Sequence, residues 1–236
     1  MFMNEQAPKH KNHRFPISIV ARAVWLYFRF NLNLREVEEM MLERGVEVSY
    51  ETIRRWCRSH ASLLTARLRR KTPSASDVWQ LDAVVVSISW KKCLLWRAVD
   101  QDGYVLDEIV QTRRNTKAAK RLLVRLLKKQ SGAPKRIVTD KLRSYCAAKR
   151  QLMTNVEHRS HKGLNNRVEN SHLPFRKRER TRQGLRSIGS LQHFVSIFSA
   201  TRNHFVQASS IRSAGLIRAH RKNAIAKWNA VAHQLA

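Results

Sequence analysis

The sequence predicts an α/β domain, in which helices cover a mixed sheet, preceded by an all-α domain. Two changes along the chain carry this prediction. Apolar residues recur at helical spacing from Pro16 to His60, whereas beyond Asp77 the pattern changes to the short alternating runs typical of strands. Between them lies the small, polar, proline-containing stretch KTPSASD, residues 71–77, which predicts a linker.

The composition indicates the kind of partner. The chain has 236 residues, and its 46 Lys and Arg against 17 Asp and Glu give a formal net charge of +29. Such an excess favours a polyanion held through many phosphate contacts, so we expect a nucleic acid as the partner. The helix-turn-helix arrangement predicted below makes double-stranded DNA the expected form. A membrane surface is disfavoured because no long basic helix has an uninterrupted apolar face.

The cysteines and the start of the chain indicate the compartment. Three isolated cysteines exclude a disulfide framework built on pairs and predict reduced thiols. The first apolar stretch is interrupted by Arg22 and Arg29, so it predicts neither a secretion signal nor a membrane span. We therefore expect a cytoplasmic protein.

The first domain is predicted over residues 15–70, after a basic tail at residues 1–14. A helix begins after Pro16, and a second begins at a capping box formed by Asn33 and Glu36 and ends at Gly45. Ser49 is the predicted cap of a third helix. Helix, tight turn and helix predict a helix-turn-helix arrangement.

The third helix is the predicted recognition element of this domain. Its apolar face is predicted to hold Tyr50, Ile53 and Cys57. The opposite face carries Arg54, Arg55 and Arg58, which are predicted to contact DNA. A plain helical bundle with a solvated basic face is the alternative.

The second domain reads as strands and helices in a defined order. Three strand-like runs, VWQLDAVVVSISW, KCLLWRAVD and YVLDEIVQT, are followed by the amphipathic helix NTKAAKRLLVRLLKKQ, which begins at an Asn115 cap. KRIVTD is predicted as a strand, the stretch through Ala148 as a helix and VEHRS as a last strand. The period change therefore predicts a mixed sheet with helical cover.

Acidic residues are scarce in the second half of the chain, so each needs an explanation. After residue 108 only Asp140, Glu157, Glu169 and Glu179 occur. Asp82 alternates onto the same strand face as several aliphatic residues, where a charge needs a partner. Asp140 ends a different apolar strand, at the edge where open α/β sheets place their ligands.

Three carboxylates, Asp82, Asp140 and Glu169, are the candidate site. Together they have the chemistry to hold divalent cations for phosphodiester cleavage. Alternatives remain for each one alone: Asp82 as an ion-pair partner, Asp140 as a helix cap, and Glu169 as part of a capping box with Asn166. Competing carboxylates are Asp100, Asp102 and Asp107, of which the first two flank a hairpin turn and predict Asx turns.

Four stretches resemble a known family: VWLYFRFNLNLREVEEMMLERGVEVSYETIRRW, LLWRAVDQDGYVLDEIVQTRRNTKAAKRLL, IVTDKLRSY, and NNRVENSH with RKRER. They are similar to the DDE transposases of bacterial insertion sequence family six, over about Phe15 to Phe205. The resemblance implies a ribonuclease H-like catalytic domain, placed here at residues 78–206, with a helical tail at 207–236. The chain departs from the family pattern at Ala83, Ser89, Trp90, Leu173 and Phe175.

The resemblance also implies the site and its chemistry. It makes Asp82, Asp140 and Glu169 both the catalytic residues and the ligands of two Mg²⁺ or Mn²⁺ ions per active site. Water would cut the strand at each transposon end, and the freed 3′-hydroxyl would attack target DNA. This implies a transposase that binds the terminal inverted repeats of its own element.

Further DNA contacts and an assembly are expected. Besides the third helix, the predicted phosphate-binding residues are Lys141, Arg176, Lys177, Arg178, Arg180 and Arg182. Two transposon ends must be processed together, so we expect a homodimer or a higher assembly on DNA, in the bacterial nucleoid. A recombinase with a Tyr or Ser nucleophile is disfavoured, since no such residue has a matching constellation. A catalytically inactive relic or a repressor of the element remains the alternative.

Overall fold

The structure is a computed structural model that describes residues 14–68, 77–140, 143–160, 166–181, 187–205 and 213–235. The chain forms two compact units. The described residues of the first are 14–68, 197–205 and 213–235, and those of the second are 77–140, 143–160, 166–181 and 187–196. The predicted tail at 1–14 and linker at 71–77 lie almost entirely outside the described residues.

Helices build the first unit. They are α1 (Ile17–Arg29), α2 (Leu34–Leu42), α3 (Tyr50–Ser59) and α4 (Ala61–Ala66), joined by α9 (Ala214–His233). Helix α1 lies at its centre, because Val20, Ala23 and Val24 are completely buried. Helix α9 packs on α1, where the Trp228 indole N–H donates to the Ala21 carbonyl at 3.1 Å.

The predicted start signals of α2 and α3 are confirmed. The Asn33 side chain accepts from the backbone N–H of Glu36 at 3.0 Å, and the Glu36 carboxylate accepts from the Asn33 N–H at 2.6 Å. Ser49 Oγ accepts from the Thr52 N–H at 3.3 Å. After α2 the chain turns at Gly45, whose φ of +72° is in the left-handed region that glycine adopts without strain.

One predicted core residue of α3 is wrong. Ile53 and Cys57 are buried, but Tyr50 is 41% exposed and Trp56, with 6% exposure, takes its place in the core. The reason is position: Tyr50 is the first residue of the helix, where the Arg35 guanidinium lies over its ring at 5.4 Å. The cation–π contact with Arg35 stabilises the Tyr50 ring at the surface, so the ring need not be buried.

A second difference concerns the end of the chain. Residues 197–205 belong to the first unit, although the catalytic domain was predicted to extend to 206. Phe205 approaches Trp25 at 6.0 Å and Trp228 at 5.8 Å between ring centroids, and His204 Nε2 contacts the Ala224 carbonyl at 2.8 Å. Aromatic packing therefore ties this segment to α1 and α9.

The second unit is built on a five-stranded sheet in the order β3-β2-β1-β4-β5. The strands are β1 (Val78–Ile88), β2 (Lys91–Val99), β3 (Val105–Gln111), β4 (Arg136–Thr139) and β5 (Glu157–Ser160). The first three are antiparallel neighbours, while β4 is parallel to β1 and β5 is parallel to β4. The predicted mixed sheet with flanking helices is confirmed.

Helices flank both faces of this sheet. Helix α5 (Thr116–Gln130) and helix α6 (Arg143–Leu152) cover one face, where Trp79, Leu81 and Trp96 are buried with the leucines of α5. Helix α7 (Asn166–Thr181) packs on β1 and β2, and α8 (Ile188–Phe205) follows it. The predicted Asn115 cap of α5 is confirmed by its contact with the Ala118 N–H at 3.0 Å.

Two competing carboxylates have structural roles. The Asp100 side chain is fully buried and accepts from the backbone N–H groups of Asp102 and Tyr104, at 2.9 and 3.0 Å, as expected for an Asx turn. Asp107 on β3 is paired with Arg125 and Lys129 of α5. No helix in the described part of the chain is long and apolar enough to cross a membrane.

Candidate active site

Parallel pairing of β1 and β4 places two of the three candidate carboxylates next to each other. Leu81 of β1 is the register partner of Thr139 of β4, and each is followed directly by an aspartate. Because side chains alternate along parallel strands in the same way, Asp82 and Asp140 lie on the same face of the sheet at neighbouring positions. Asp82 within β1 and Asp140 directly after β4 therefore lie in one acidic site.

Asp82 lies in the middle of β1, with 12% of its side chain exposed. Burial alone would raise its pKa, but the contact with His172, the Ala83 backbone N–H and the charge of Arg114 outweigh burial and hold the pKa of Asp82 below its ordinary value. The carboxylate is therefore ionised at neutral pH, as a ligand for a cation must be.

His172 of α7 covers Asp82, with its Nε2 at 3.4 Å from the Asp82 Oδ2. The imidazole is 3% exposed, and burial, opposed by Asp82, lowers its pKa to about 4. At neutral pH the ring is uncharged, so it lies beside the carboxylate without adding a positive charge.

Asp140 has a cationic partner. The Arg114 Nη2 lies 3.2 Å from the Asp140 Oδ2, and the same guanidinium contributes to lowering the pKa of Asp82. Arg114 precedes the cap of α5, at the β4 side of the site. One positive group therefore acts on both carboxylates.

Tyr145 of α6 also lies near both carboxylates. Burial, followed by the charges of Asp82 and Asp140, raises the pKa of its phenol well above the ordinary value. Its hydroxyl is buried, and no hydrogen-bond partner for it is found among the described residues. The phenol of Tyr145 therefore stays protonated and uncharged beside Asp82 and Asp140.

Glu169, the third candidate, is exposed in the first turn of α7. It lies one helical turn before His172, and residues three apart on a helix share a face. The contact of His172 with Asp82 therefore places Glu169 on the side of α7 that leads to the aspartates. The three carboxylates do not form a closed cluster: within the described ranges no group of three or more His, Cys, Asp and Glu is arranged to hold a metal ion.

A buried ion pair fixes α7 on the sheet. Arg97 is the register partner of Asp82 on one side and of Glu108 on the other, so the three form one row across β1, β2 and β3. The guanidinium donates to the Glu108 Oε2 at 2.8 and 3.0 Å and to the Ser171 carbonyl of α7 at 2.6 Å. Both side chains are almost completely buried.

The residues present fit a divalent cation. Two ionised or cation-paired aspartates at neighbouring strand positions offer the hard oxygen ligands that Mg²⁺ prefers, and a guanidinium already provides positive charge there. An exposed glutamate on the adjacent helix provides further oxygen ligands.

The predicted DNA-contacting residues divide into three groups. Arg54, Arg55 and Arg58 are exposed on α3, although the first two pair with Glu51 at 2.7 and 3.8 Å. On α7, Lys177 is exposed and Arg176 is partly exposed. Lys141 and Arg182 lie outside the described residues, as does the side chain of Arg180.

Arg178 requires a correction. The sequence predicted a phosphate-binding side chain, but Arg178 is 2% exposed. It shares the sheet-facing side of α7 with Val168 and Phe175, because these positions are separated by multiples of three to four residues. A side chain on that face does not reach DNA in this conformation.

Sequence reasoning missed the residues that surround the carboxylates. Arg114 and His172 were not singled out, nor was the pair of Arg97 and Glu108. The available signal was the polar residue on each of two consecutive strands, Arg97 and Glu108, at positions that antiparallel pairing with Asp82 aligns.

Known proteins resemble this chain in sequence. The DDE domain model of IS240-type transposases matches residues 76–208. The transposase for the insertion sequence-like element IS431mec of Staphylococcus aureus is 29% identical over 177 residues, which is 73% of this chain and 79% of that protein. The transposase for the element IS257 in transposon Tn4003 of the same species has the same identity and coverage.

Solved structures resemble it more distantly. The integrase catalytic core domain of HTLV-2 in complex with magnesium has a TM-score of 0.39 and 17% identity, over 55% of this chain and 86% of that one. A simian T-cell lymphotropic virus intasome in complex with the regulatory subunit B56 gamma of PP2A has a TM-score of 0.46 and 17% identity, over 81% of this chain and 72% of that one.

Proposed function

Since this chain belongs to the DDE transposases of insertion sequences, we propose that it binds the terminal inverted repeats of its own element, cleaves the 3′ strand ends and joins them to target DNA. Transposition of DNA is the activity of the family. The observation that carries the finer proposal is the placement of Asp82 and Asp140 at neighbouring positions of two parallel strands.

Asp82, Asp140 and Glu169 are the proposed ligands of two Mg²⁺ or Mn²⁺ ions. When bound, two such ions activate the attacking oxygen and stabilise the leaving oxygen of a phosphodiester. His172 keeps Asp82 oriented and ionised by lying over it as a neutral ring. The ion pair of Arg97 and Glu108 holds α7, and with it Glu169, against the sheet.

Two displacements at phosphorus complete the reaction. In the first, the oxygen of water bonds to phosphorus, the bond to the 3′ oxygen breaks, and that oxygen takes a proton. In the second, the freed 3′-hydroxyl attacks a target phosphodiester, and a 3′-hydroxyl of the target strand leaves. Each step forms one bond and breaks one, so no covalent link to the protein is required.

Phosphate contacts would position the DNA for these steps. The proposed groups are Arg54, Arg55 and Arg58 on α3 and Arg176 and Lys177 on α7, with Lys141, Arg180 and Arg182. Exposed cationic side chains on helices suit sequence-independent phosphate contacts as well as base contacts. The exposed guanidinium groups of α3 support a recognition role for that helix.

Two ends have to be joined together, so we propose that at least two copies act on DNA. The last helix, α9, is one candidate contact surface. Its Ala224, Trp228 and Ala232 are buried within the first unit, whereas Leu216 and Ile225 are 58% and 43% exposed. A contact between copies through α9 would therefore use the exposed apolar side chains.

The test is strand transfer by purified protein with Mg²⁺ and oligonucleotides carrying the inverted repeats that bracket its reading frame. Asp140→Asn should abolish cleavage and joining while leaving binding to the repeats within about twofold, because one charge is removed from the site and none from the basic surface. Asp102→Asn, in a hairpin turn of the same unit, is the matched control and should remain active. A wild-type protein that shifts the repeats but never cuts them would instead be a binding protein.

A further inference from the structure

Trp90 is a fully exposed tryptophan of the second unit that neither the fold nor the proposed active site uses. Trp90 is 99% exposed, whereas Trp79 and Trp96 of the same unit are at most 1% exposed. It forms with Ser89 the two-residue turn between β1 and β2, because Ile88 pairs with Lys91. We call Ser89 and Trp90 the hairpin tip.

The backbone of the hairpin tip is one that glycine or asparagine normally adopts. Ser89 has φ +47° and Trp90 has φ +65°. Two-residue hairpin turns with both central residues at positive φ strongly prefer Asn-Gly, and larger side chains there are strained. The chain thus holds an indole in an unfavourable backbone conformation and leaves it in solvent, without any folding contact among the described residues to offset the strain.

The surroundings of the hairpin tip are cationic. Lys91 and Lys92 follow it and are exposed. The Ser87 backbone N–H contacts the Glu179 Oε1 at 3.4 Å, and Glu179 in turn pairs with Arg176 at 2.9 Å. The hairpin is therefore in contact with the part of α7 that carries Arg176 and Lys177. The negative charge of Glu179 is offset by its ion pair with Arg176.

An aromatic face beside a row of cations matches one chemistry. Proteins hold unpaired strands by stacking bases on aromatic side chains while cations contact the phosphates, and each stacked base contributes measurably to affinity. In an intact duplex the base faces are already stacked on each other. An exposed indole at the tip of a β-hairpin therefore suits an unpaired or extruded base.

We propose that Trp90 stacks on an unpaired base of DNA, with Lys91 and Lys92 on the flanking phosphates. This deepens the proposed function, because strand cleavage and transfer create unpaired nucleotides next to the reacting ends. Trp90 lies eight positions after Asp82, so the stacked base lies up to roughly 26 Å from the carboxylates along the strand direction. The contact belongs to DNA holding and not to the metal site.

The test compares full-length variants in their binding to three labelled oligomers of equal length: a single strand, the same sequence as a blunt duplex, and a single-stranded abasic deoxyribose phosphate oligomer. Trp90→Gly should weaken binding to the single strand by about 5- to 100-fold. Binding to the duplex and to the abasic oligomer should change by less than about twofold, because phosphate contacts remain.

Two controls separate stacking from damage to the hairpin. Trp90→Gly fits the positive φ, so its thermal stability should equal or exceed that of the wild type while its single-strand affinity falls. Ser89→Gly relieves strain in the same turn and keeps the indole, so single-strand affinity should be retained. Trp90→Tyr, which retains an aromatic face, should recover most of the loss.

The outcomes also separate this inference from the proposed function. Equal binding of wild type and Trp90→Gly to the single strand, or equal losses on all three oligomers, would overturn the stacking role while leaving strand transfer intact. A loss confined to binding of phosphatidylserine vesicles would overturn it in favour of a lipid surface. If the wild type fails to transfer strands but Trp90→Gly still loses affinity for the single strand, the proposed catalysis would be refuted and the stacking role of Trp90 would stand.

Discussion

Arg114 provides the positive charge that the acidic pair requires when no metal ion is bound. Its guanidinium pairs with Asp140 at 3.2 Å and also lowers the pKa of Asp82. An arginine that competes with a divalent cation for the same carboxylates reduces the affinity for that cation. Side chains that are half exposed, as this one is at 47%, contribute modestly because water screens the charge.

Removal of this competitor should therefore tighten metal binding. If the proposed metal site is correct, Arg114→Gln should raise the affinity for Mn²⁺ about two- to fivefold, since exposed ion pairs contribute at most about 1 kcal/mol. The measurement is a titration of free Mn²⁺ by electron paramagnetic resonance, which does not depend on catalysis.

The matched control for that titration is the preceding residue. Arg113→Gln removes the same charge from the same loop, where Arg113 is exposed and has no ion pair with the site carboxylates. Its effect on Mn²⁺ affinity should be smaller than that of Arg114→Gln. Equal affinities for the two variants would show that proximity to Asp140 has no part in metal binding.

At the residue scale the sequence predicted that Asp82 lies within a strand and that Asp140 ends another. The parallel pairing of β1 with β4, which makes the two aspartates neighbours, could not be read from the strand patterns and comes from the structure. The burial of Arg178 was not predicted from the charge of the basic run, although its spacing from Val168 and Phe175 along α7 indicates a shared face. His172 as the neighbour of Asp82 depends on the same orientation of α7.

At the element scale, α7 depends on the buried pair of Arg97 and Glu108. Glu108→Gln leaves the arginine buried without a counter-charge, which typically costs about 3–5 kcal/mol. We expect a loss of this size in the free energy of unfolding of the second unit, measured by urea denaturation. The control is Glu43→Gln, which breaks the exposed pair with Arg44 in the first unit. It should change the free energy of unfolding by less than about 1 kcal/mol.

A double replacement tests whether charge or packing is responsible. Arg97→Met with Glu108→Leu removes both charges, so much of the lost stability should return. The double variant also lacks the bond to the Ser171 carbonyl, so α7 would be held less firmly. Strand transfer should then remain impaired in a protein of nearly normal stability. Full activity in the double variant would contradict a positioning role for Arg97.

The β3 strand and α5 are joined by another buried carboxylate, which makes stability pH-dependent. Burial would raise the pKa of Asp107, but Arg125 and Lys129 outweigh it and hold the pKa below the ordinary value. A depressed folded-state pKa stabilises fully above the unfolded-state pKa, and this contribution is lost as pH falls through the folded-state value.

Asp107→Asn should therefore lower stability at pH 7 by about 1–2 kcal/mol, less than for a fully buried pair because both cations are partly exposed. The difference from wild type should shrink as the pH falls below about 4, where the unfolded aspartate becomes protonated. Denaturation curves at several pH values measure this. A difference that persists unchanged to pH 2 would indicate lost packing instead of lost charge.

The order of elements in the second unit was predictable, but helix α8 and, in the first unit, helix α4 were not. Turn residues and changes of period marked every strand and also α5, α6 and the start of α7. Helix α8 was not predicted: Leu191, Phe194 and Val195 belong to a set of buried residues spread around the helix, so no single apolar stripe marks it. Helix α4, with six residues, is too short for its period to be recognised.

At the scale of the whole molecule, the charge of +29 dominates the interaction with DNA. Each phosphate contact releases counterions, so the logarithm of the binding constant should fall with the logarithm of salt concentration by about 0.9 per contact on duplex DNA. The slope of this salt dependence therefore reports the number of phosphate contacts, whereas the affinity at a single salt concentration does not. Measuring the slope thus separates defined phosphate contacts from the attraction of the overall positive charge for DNA.

Replacement of cations on different helices tests which of them contact DNA. Arg55→Gln with Arg58→Gln on α3, or Arg176→Gln with Lys177→Gln on α7, should each reduce the slope by about 2, and all four together by about 4. Lys117→Gln with Lys120→Gln removes the same charge from exposed positions of α5, which covers the opposite face of the sheet from α7. That control should leave the slope nearly unchanged. Equal reductions for all three pairs would mean that DNA responds to net charge alone, and that neither helix holds the DNA at defined contacts.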